Sequence, residues 1–388
     1  MSERSLCVVT GTRADYGHLS CLMRAIQNDP ELRLQVVATG MHLSPEFGMT
    51  VDGIIEDGFE VSARVEMLLS SDTAVGIGKS IGLGVIGFAE VFDRLQPDVT
   101  ILLGDRFEML AAAMAATAAR IPIAHLHGGE TTEGAMDEAF RHAITKMSHV
   151  HFVAAEAYQC RVRQMGEGPS RIFNFGAPGL DLLKTMERPT RADLEARLGL
   201  SLGERNFLVT YHPETLNREG PEKAIQALFE ALDVFPDARI IFTKPNCDEG
   251  GRKIIELIDA FVEARQERAV AHVSLGSYYY FGVMNEVDAV IGNSSSGLIE
   301  APVFEKPTVN IGDRQKGRLR AGSVVDCDET KASIEAAIRQ VLSVDFQMKL
   351  KGVKSPYYQG GASEKILAVL KSFDLQNIKK TFYDLPSR

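Results

Sequence analysis

The sequence predicts an α/β protein with two doubly wound parallel-sheet domains in tandem. Three observations lead to this fold class: a length of 388 residues, short apolar runs that alternate with amphipathic stretches, and a polar connection near the middle. At about 100–200 residues per domain, the chain has room for two or three domains. Strand–helix alternation is typical of a parallel sheet covered by helices on both faces. We expect one domain over 1–183, a second over 184–365 and a further segment over 366–388.

The first half of the chain contains five short runs rich in valine, isoleucine and leucine. We interpret them as buried strands, which cover Leu6–Thr10, Leu34–Thr39, Val99–Leu103, Ile121–Leu126 and His151–Ala154. The stretches between them have helical periodicity. Helices are expected over Tyr16–Asn28, Phe107–Arg120 and Asp137–Ser148.

The second half repeats this rhythm without close sequence similarity to the first. Its expected strands cover Phe207–Tyr211, Arg239–Thr243, Ala271–Leu275, Ala289–Gly292 and Thr308–Ile311. The polar stretch Leu183–Gly203 contains Pro189, so we interpret it as the inter-domain connection with one short helix. Ligands of doubly wound folds bind beyond the carboxyl ends of the strands. The residues that follow each strand are therefore the functional candidates.

Composition narrows the function classes. Lys plus Arg total 42 and Asp plus Glu total 52, a net charge of −10 that argues against sequence-independent nucleic-acid binding. The five cysteines form no CxxC pair, which favours a reducing compartment over a disulfide framework. We find neither a signal-peptide core nor a run of about 18 uncharged apolar residues. We expect a cytoplasmic protein that binds neither nucleic acid nor membrane.

A glycine pattern in the first domain resembles a dinucleotide fingerprint but has the wrong setting. Gly82, Gly84 and Gly87 match GxGxxG, whereas the fingerprint must follow a strand and open a helix. Here the glycines continue a stretch from Asp72 to Pro97 that has a helical pattern. Helix packing is the expected role, with dinucleotide binding as the alternative.

Two histidines raise the question of a metal site. His125 and His127 are two residues apart on a predicted strand, so both side chains would lie on one face, as metal ligands do. No HExxH pattern or neighbouring cysteine completes such a site. We expect core or hydrogen-bonding histidines, no bound metal and no cofactor.

The turn after the first predicted strand is suited to an anion. Gly11 and Thr12 open a helix, with Arg13 and Ala14 in its first turn. The N–H groups at a helix N-terminus favour a phosphate, and an arginine adds a planar fork of donors. A helix cap beside a surface arginine is the structural alternative.

Acidic residues follow the third and fourth predicted strands. Asp105 and Arg106 come directly after Val99–Leu103, where burial or the adjacent cation would shift the pKa of the acid. After the following strand, Gly128 and Gly129 allow the backbone to approach a ligand. A carboxylate-rich segment then comprises Glu130, Glu133, Asp137 and Glu138, with Arg141 and His142 on the expected helix. A helix cap and a solvated acidic loop are the structural alternatives.

The second domain supplies groups suited to a phosphate. His212 ends its first strand, Asn246 follows another, and Glu300 is placed to take two ribose hydroxyls. Hydroxyls and backbone amides at a helix start form a phosphate cradle. The cradle and the basic loop after the next strand comprise Ser294, Ser295, Ser296, Gly297 and Arg314. A solvated basic loop is the alternative, but carboxylates in one domain and phosphate donors in the other suit a nucleotide-sugar.

Six motifs give the chain its resemblance to the hydrolysing UDP-N-acetylglucosamine 2-epimerases, which make N-acetylmannosamine for sialic acid synthesis. The resemblance covers nearly the whole chain, in the segments GTRADYG, LLGDRFE, HGGETTEGAMDEAFRHAITKMSH, HPET, GNSSSGLIE and NIGDRQKGR. The ending, Phe382 to Pro386, also resembles bacterial members. The resemblance implies the GT-B fold, with two Rossmann-like domains facing across a cleft and a last helix that returns to the first domain.

The resemblance also implies site residues and ligands. It implies catalytic carboxylates at Asp105, Glu130 and Asp137, with His212 near the diphosphate. Contacts with UDP or the sugar are implied at Arg13, Arg106, Asn246, Ser294, Ser295, Glu300 and Arg314, with Glu138 and Arg141 as further candidates. The implied substrate is UDP-N-acetylglucosamine and the product UDP, with no cofactor, in a homo-oligomer that is a dimer or tetramer.

The expected reaction is anti elimination of UDP to a 2-acetamidoglucal, followed by hydration to N-acetylmannosamine. Inversion at C2 needs proton-transfer groups on both faces of the ring, which is a physical reason for several carboxylates. The same chemistry on UDP-2,4-diacetamido-2,4,6-trideoxyglucose, in the legionaminic acid pathway, is an alternative. So are a non-hydrolysing epimerase, a GT-B glycosyltransferase and a nucleotide-sugar sensor.

Overall fold

The chain divides into two compact units. The computed structural model describes residues 3–71, 73–133, 135–213, 222–245, 250–374 and 378–385. Unit 1 comprises Met1–Glu130, Asp137–Thr185 and Tyr357–Arg388, and unit 2 comprises Thr131–Met136 and Met186–Pro356. The segment Thr131–Met136 thus belongs to unit 2, although its sequence neighbours on both sides belong to unit 1.

Each unit contains one parallel sheet, and the strands are numbered in chain order. They are β1 (Arg4–Thr10), β2 (Leu32–Thr39), β3 (Val61–Val65), β4 (Val99–Leu103), β5 (Ile123–Leu126), β6 (Val150–Val153), β7 (Ile172–Asn174), β8 (Arg205–Thr210), β9 (Ala238–Thr243), β10 (Ala269–His272), β11 (Ala289–Gly292), β12 (Thr308–Ile311) and β13 (Val324–Cys327).

Helices separate the strands. They are α1 (Arg13–Gln27), α2 (Val51–Glu56), α3 (Ala74–Leu95), α4 (Phe107–Ala118), α5 (Asp137–Met147), α6 (Glu156–Gln164), α7 (Leu182–Thr185), α8 (Arg191–Leu198), α9 (Glu222–Leu232), α10 (Gly251–Glu263), α11 (Gly276–Glu286), α12 (Ser296–Ile299), α13 (Lys331–Val341), α14 (Val344–Leu350) and α15 (Ala362–Ser372).

The sheet of unit 1 has seven strands in the order β3-β2-β1-β4-β5-β6-β7. The chain winds outward from β1 to β3 and then restarts at β4 on the other side of β1, where Leu6 pairs in register with Val99. Strand order therefore reverses between β1 and β4. In open parallel sheets a ligand binds at the carboxyl ends of the two strands that flank such a switch point.

The sheet of unit 2 repeats the plan with six strands in the order β10-β9-β8-β11-β12-β13, so its switch point lies between β8 and β11. Alternate residues of β8 enter two different cores. Phe207 and Val209 pack on one face of the sheet, and Leu208 packs on the other. Because successive side chains of a strand point to opposite faces, a continuous apolar run is what a sheet with both faces covered requires.

Sequence reasoning missed or misplaced strands only at sheet edges. It predicted nothing at β3, β7 and β13, and it placed β10 two residues too late, at Ala271–Leu275. All four are edge strands, and each is only partly buried. Edge strands lack the continuous apolar run that identifies a central strand, so their signal is weak.

The glycine pattern of the first domain lies inside helix α3, as predicted. A side chain at Gly84 would collide with Met67 and Ala111, so that glycine allows close packing of the helix. Among the described residues, α3 is the one helix with the length and composition to cross a membrane. It buries Ile77, Phe88 and Phe92 and leaves Val75 and Ile86 exposed.

Candidate active site

Asp105 lies at the switch point of unit 1, directly after β4. Gly104 precedes it with a φ of 81°, a left-handed conformation that favours glycine. The Gly104 carbonyl accepts a hydrogen bond of 2.8 Å from Nε2 of His125. Burial lowers the pKa of His125 to about 3, so its ring is a neutral donor. His125 was predicted as a core or hydrogen-bonding histidine, and the structure confirms that role beneath the Asp105 turn.

Arg141 joins two of the predicted catalytic carboxylates. It projects from α5, is 1% exposed, and contacts Asp105 Oδ2 through Nη2. Its Nη1 lies 3.5 Å from Glu130 Oε2 and donates to the carbonyl of His127 at 3.3 Å. A buried arginine needs such partners, since an uncompensated charge costs several kcal/mol, of the order of 3–5. The structure thus brings Asp105, Glu130 and Arg141 into one network.

Glu130 also contacts His127, which follows β5. His127 Nδ1 lies 2.6 Å from Glu130 Oε1, and the two side chains are 6% and 1% exposed. His127 has a φ of 63°, uncommon for a residue other than glycine. Gly129, with a φ of 76°, packs against the carbonyl of Tyr158 where a larger residue would not fit. The turn from His127 to Glu130 is therefore tightly enclosed.

Arg106 pairs with a glutamate that sequence reasoning did not select. Its Nε lies 3.1 Å from Oε2 of Glu108, which is fully buried. Burial raises the pKa of Glu108, while Arg106 opposes that shift. Glu108 lies against Gly11 and Gly40, at the ends of β1 and β2. In the sequence, Glu108 is an acid in the first turn of an alanine-rich helix. That pattern is also explained by a favourable interaction with the helix dipole, so it does not by itself indicate a functional residue.

The turn before α1 is a helix cap. The Thr12 hydroxyl accepts from the Asp15 N–H, and Asp15 Oδ1 accepts from the Thr12 N–H at 2.8 Å, so the two form a capping box. Arg13 is half-buried and Ala14 is exposed in the first turn. The cap accounts for Thr12 and Asp15, as the structural alternative predicted.

The first turn of α5 carries the remaining predicted acids of unit 1. Asp137 and Glu138 are both half-buried. Glu138 accepts a hydrogen bond of 3.0 Å from His142, one turn later on the same helix. An i, i+4 pair of this kind aligns the two side chains along one face of the helix.

In unit 2, Asn293 bridges the switch point. Its Oδ1 accepts from the His212 N–H at 2.7 Å, and its Nδ2 donates to the His212 carbonyl at 2.8 Å. Asn293 is fully buried and holds the backbone of His212 in place. Sequence reasoning selected the serines after it and not Asn293. Its position directly beyond the Gly292 that ends β11 was the available signal.

The serine turn that follows is compact. Gly292 has a φ of 131°, and a side chain there would collide with the carbonyl of Thr210. Helix α12 is a single turn, and its Ser296 hydroxyl accepts from Tyr280 at 2.8 Å. Ser294, Ser295 and Ser296 are half-buried, whereas Gly297 and Glu300 are buried.

The basic loop after β12 divides into internal contacts and one arginine at the serine turn. Lys316 pairs with Asp313 and Arg320 with Asp326, both at the surface. Arg314 Nη1 and Gln315 Nε2 both donate to the Asn293 carbonyl, at 3.2 and 2.8 Å. The solvated-loop alternative thus fits Lys316 and Arg320, and Arg314 lies beside the predicted cradle.

The segment Thr131–Met136 contacts this loop within unit 2. Arg318 Nε donates to the Thr131 carbonyl at 3.1 Å, and the Glu133 N–H donates to the Lys316 carbonyl at 3.4 Å. Sequence reasoning assigned this segment to the first domain, because nothing in a linear pattern marks a loop that packs in another unit.

Two parts of the prediction lie outside the described residues: Asn246, and the Glu214 and Thr215 that complete the HPET motif. In the described part of the chain, no group of three or more His, Cys, Asp or Glu residues has a geometry suited to a metal ion.

Comparisons with known proteins identify the family. The family model described as UDP-N-acetylglucosamine 2-epimerase matches residues 24–371. The chain is 42% identical to the Campylobacter jejuni GDP/UDP-N,N'-diacetylbacillosamine 2-epimerase (hydrolyzing), covering 99% of this chain and 100% of the relative. It is 37% identical to the Legionella pneumophila UDP-N,N'-diacetylbacillosamine 2-epimerase (hydrolyzing), covering 96% and 97%. Polysialic acid biosynthesis protein P7 of Escherichia coli is 34% identical, covering 99% and 98%.

A solved structure supports the fold. The Neisseria meningitidis UDP-GlcNAc 2-epimerase bound to UDP-GlcNAc matches with a TM-score of 0.79 at 17% identity, covering 95% of this chain and 99% of that one. This likeness confirms the predicted GT-B fold. The chain belongs to the UDP-N-acetylglucosamine 2-epimerase family, as one of its hydrolysing members.

Proposed function

We propose that the protein hydrolyses UDP-N,N'-diacetylbacillosamine, the UDP-2,4-diacetamido-2,4,6-trideoxyglucose considered above, with inversion at C2. The observation that carries the chemistry is the network of Asp105, Arg141 and Glu130 at the switch point of unit 1. The choice of sugar rests on the two relatives at 42% and 37% identity, both named for N,N'-diacetylbacillosamine.

UDP-N-acetylglucosamine is the second candidate substrate, with N-acetylmannosamine for sialic acid synthesis as its product. It is favoured by the six family motifs, by the relative named for polysialic acid biosynthesis and by the structural neighbour that binds UDP-GlcNAc. The two sugars share the 2-acetamido group and the bond to UDP, so one elimination mechanism serves both. They differ at C4 and C6.

The proposed mechanism has two stages. A carboxylate removes the C2 proton while the C1–O bond to UDP breaks, with the two groups anti to each other. Water then adds to C1 of the resulting glucal, and a proton reaches C2 from the opposite face. General acid–base help of this kind contributes roughly 10²–10⁴-fold per group. We assign these transfers to Asp105, Glu130 and Asp137.

Leaving-group stabilisation is proposed to come from cations and backbone donors. Within unit 2, His212, Arg314 and the turn Ser294–Gly297 would receive the diphosphate. Fixed donors aimed at a developing charge are worth more than mobile ones, because they need no reorganisation during the reaction. Asn293 supports this assignment, since its backbone and side chain tie His212 to Arg314.

The substrate is tested by incubating the purified protein with each UDP-sugar alone. Release of UDP with a 2-epimerised free sugar is the expected result, with higher kcat/KM for the diacetamido sugar. Higher kcat/KM for UDP-N-acetylglucosamine would select the second candidate. An epimerised sugar still joined to UDP would indicate a non-hydrolysing epimerase, and no turnover would favour a transferase or a sensor. A further incubation with the GDP-linked sugar tests which nucleotide the protein accepts, because the name of the C. jejuni relative includes both GDP and UDP.

The route through a glucal is tested by solvent isotopes. In D₂O the released sugar should carry deuterium at C2, because the original proton is lost and replaced. Activity should not require an added nicotinamide. Product that retained protium at C2 would contradict elimination with solvent exchange. Light scattering on the same preparation tests the proposed dimer or tetramer.

A further inference from the structure

His127 and Glu130 form a buried pair in which only Glu130 has so far been given a role. His127 Nδ1 lies 2.6 Å from Glu130 Oε1, and Glu130 Oε2 lies 3.5 Å from Arg141 Nη1. The two oxygens of one carboxylate thus have different neighbours. An imidazole that binds one oxygen of a carboxylate defines the direction of the other.

The hydrogen-bond pattern assigns the proton between them. His127 Nε2 is buried and has no hydrogen-bond partner within the described part of the chain. A charged imidazole would bury an N–H at that atom without an acceptor, and unsatisfied buried groups cost more when charged. The neutral ring with its proton on Nδ1 avoids this cost. In that state Nδ1 donates and Glu130 Oε1 accepts, an arrangement that stabilises the ionised carboxylate, which is the form able to act as a base.

The backbone holds the imidazole in this position. His127 has a φ of 63°, its N–H donates to Phe152 at 3.0 Å, and its carbonyl accepts from Arg141 at 3.3 Å. The centroids of the His18 and His127 rings lie 5.8 Å apart. Uncommon backbone conformations persist where surrounding contacts determine them, and they concentrate at functional sites. Here the conformation places Nδ1 against Glu130.

We propose that His127 is a positioning residue for Glu130: it donates Nδ1–H to Oε1, keeps the carboxylate ionised and directs Oε2 toward Arg141, which also contacts Asp105. This inference rests on the proposed function, in which Glu130 transfers a proton. His127 acts through Glu130 and does not itself contact the sugar. Misplacing a reacting group by about 1 Å can cost 10²-fold in rate, so the effect should appear in kcat.

Two matched variants test the proposal. In His127→Asn, the side-chain amide can donate near the place of Nδ1, and asparagine tolerates a positive φ. In His127→Gln, the donor lies farther out, near the place of Nε2. We expect kcat within about fivefold of the parent for Asn and at least about 20-fold lower for Gln, with KM and UDP affinity within about threefold for both. Equal kcat for the two variants would overturn the proposal.

Parent turnover is measured first, so that failure of the proposed function is recognised separately: a parent with no turnover on any nucleotide-sugar refutes that function. A second measurement uses the parent and needs only one of the two variants to fold. ¹⁵N NMR of the parent labelled at histidine should show a His127 ring with protonated Nδ1 and unprotonated Nε2, assigned by loss of its signals in His127→Asn or in His127→Gln. A protonated Nε2 would overturn the proposal even if the Gln variant were unfolded.

Discussion

Two clusters of acidic and basic side chains lie at opposite edges of the same sheet in unit 1. The carboxyl-edge cluster consists of Asp105, Glu130, His127 and Arg141. The amino-edge cluster consists of Glu167, Lys146, His151 and Lys380. Both clusters pair acids with cations, yet they differ in which group reaches water. Arg141 is 1% exposed, whereas Lys146 and Lys380 are 41% and 22% exposed. Asp105 keeps 19% of its side chain exposed, whereas Glu167 keeps 1%.

The amino-edge cluster attaches a separate segment of the chain. Lys380 Nζ donates to both oxygens of Glu167 and to the carbonyls of Lys146 and Ser148, and Phe382 packs against Gly166. The carboxyl-edge cluster instead joins the ends of neighbouring strands to α5. The same kind of ion pair therefore serves attachment at one edge and alignment of a proposed reaction centre at the other.

The largest expected effect is on turnover at the carboxyl edge. Asp105→Asn should lower kcat by about 10²–10⁴-fold, because the amide cannot accept the proton that general base catalysis requires. Glu130→Gln and Asp137→Asn should each lower it at least about tenfold. UDP affinity by calorimetry should stay close to that of the parent. Near-normal turnover in all three variants would refute the assignment of these carboxylates to proton transfer.

A change in the amino-edge cluster should lower stability and leave turnover unchanged. Glu167→Gln should destabilise the protein by about 2–4 kcal/mol, less than a fully buried pair because both lysines reach water. Denaturant unfolding measures this loss, and kcat at 25 °C should be unchanged. A large loss of kcat without a loss of stability would erase the distinction between the two edges.

A change in unit 2 should affect ligand affinity. Arg314→Ala should weaken UDP binding by about 1.5–3 kcal/mol, the range for a hydrogen bond to a charged group. Lys316→Ala is the matched control, since Lys316 is an exposed cation of the same loop that pairs with Asp313. Calorimetry should show little change for the control. Unchanged affinity in Arg314→Ala would place the diphosphate elsewhere.

The smallest expected effect is the pH dependence of the stabilisation that Glu167 provides in the amino-edge cluster. Burial alone would raise the pKa of Glu167, but hydrogen bonds from His151 and Lys146 outweigh it and lower that pKa to about 2. The ordinary value is 4.5. The folded-state pKa is thus below the unfolded one, so the stabilisation is complete above pH 4.5 and is lost as the pH falls toward 2.

Burial lowers the pKa of His151 and of Lys380, which offsets part of the stabilisation from ionised Glu167. We therefore expect the pH-dependent contribution of Glu167 to the free energy of unfolding to be about 1–3 kcal/mol. The measurement is the difference in unfolding free energy between the parent and Glu167→Gln. That difference should shrink between pH 5 and pH 2. Other buried histidines titrate in both proteins and largely cancel. A constant difference would mean that Glu167 is not ionised in the folded state.

Local patterns were sufficient for the central strands and for the position of several candidate residues at the strand ends. Asp105, Glu130 and Arg141 were selected because polar residues that follow buried strands gather at one edge of a parallel sheet. The helical reading of Gly82 to Gly87 was also correct. Edge strands β3, β7, β10 and β13 were missed or shifted, since partial burial leaves no continuous apolar run.

The sequence by itself determined the two doubly wound sheets, the family and the types of side chain at each strand end, because these follow from periodicity and from ordered motifs. Only the tertiary structure decided which side chains meet. It paired Arg141 with Asp105, 36 residues away, it placed Glu108 against Gly11, and it assigned Thr131–Met136 to unit 2. Such contacts depend on the direction of each side chain and on the packing of distant segments. A linear pattern specifies neither, since residues adjacent in space need no fixed spacing in the chain.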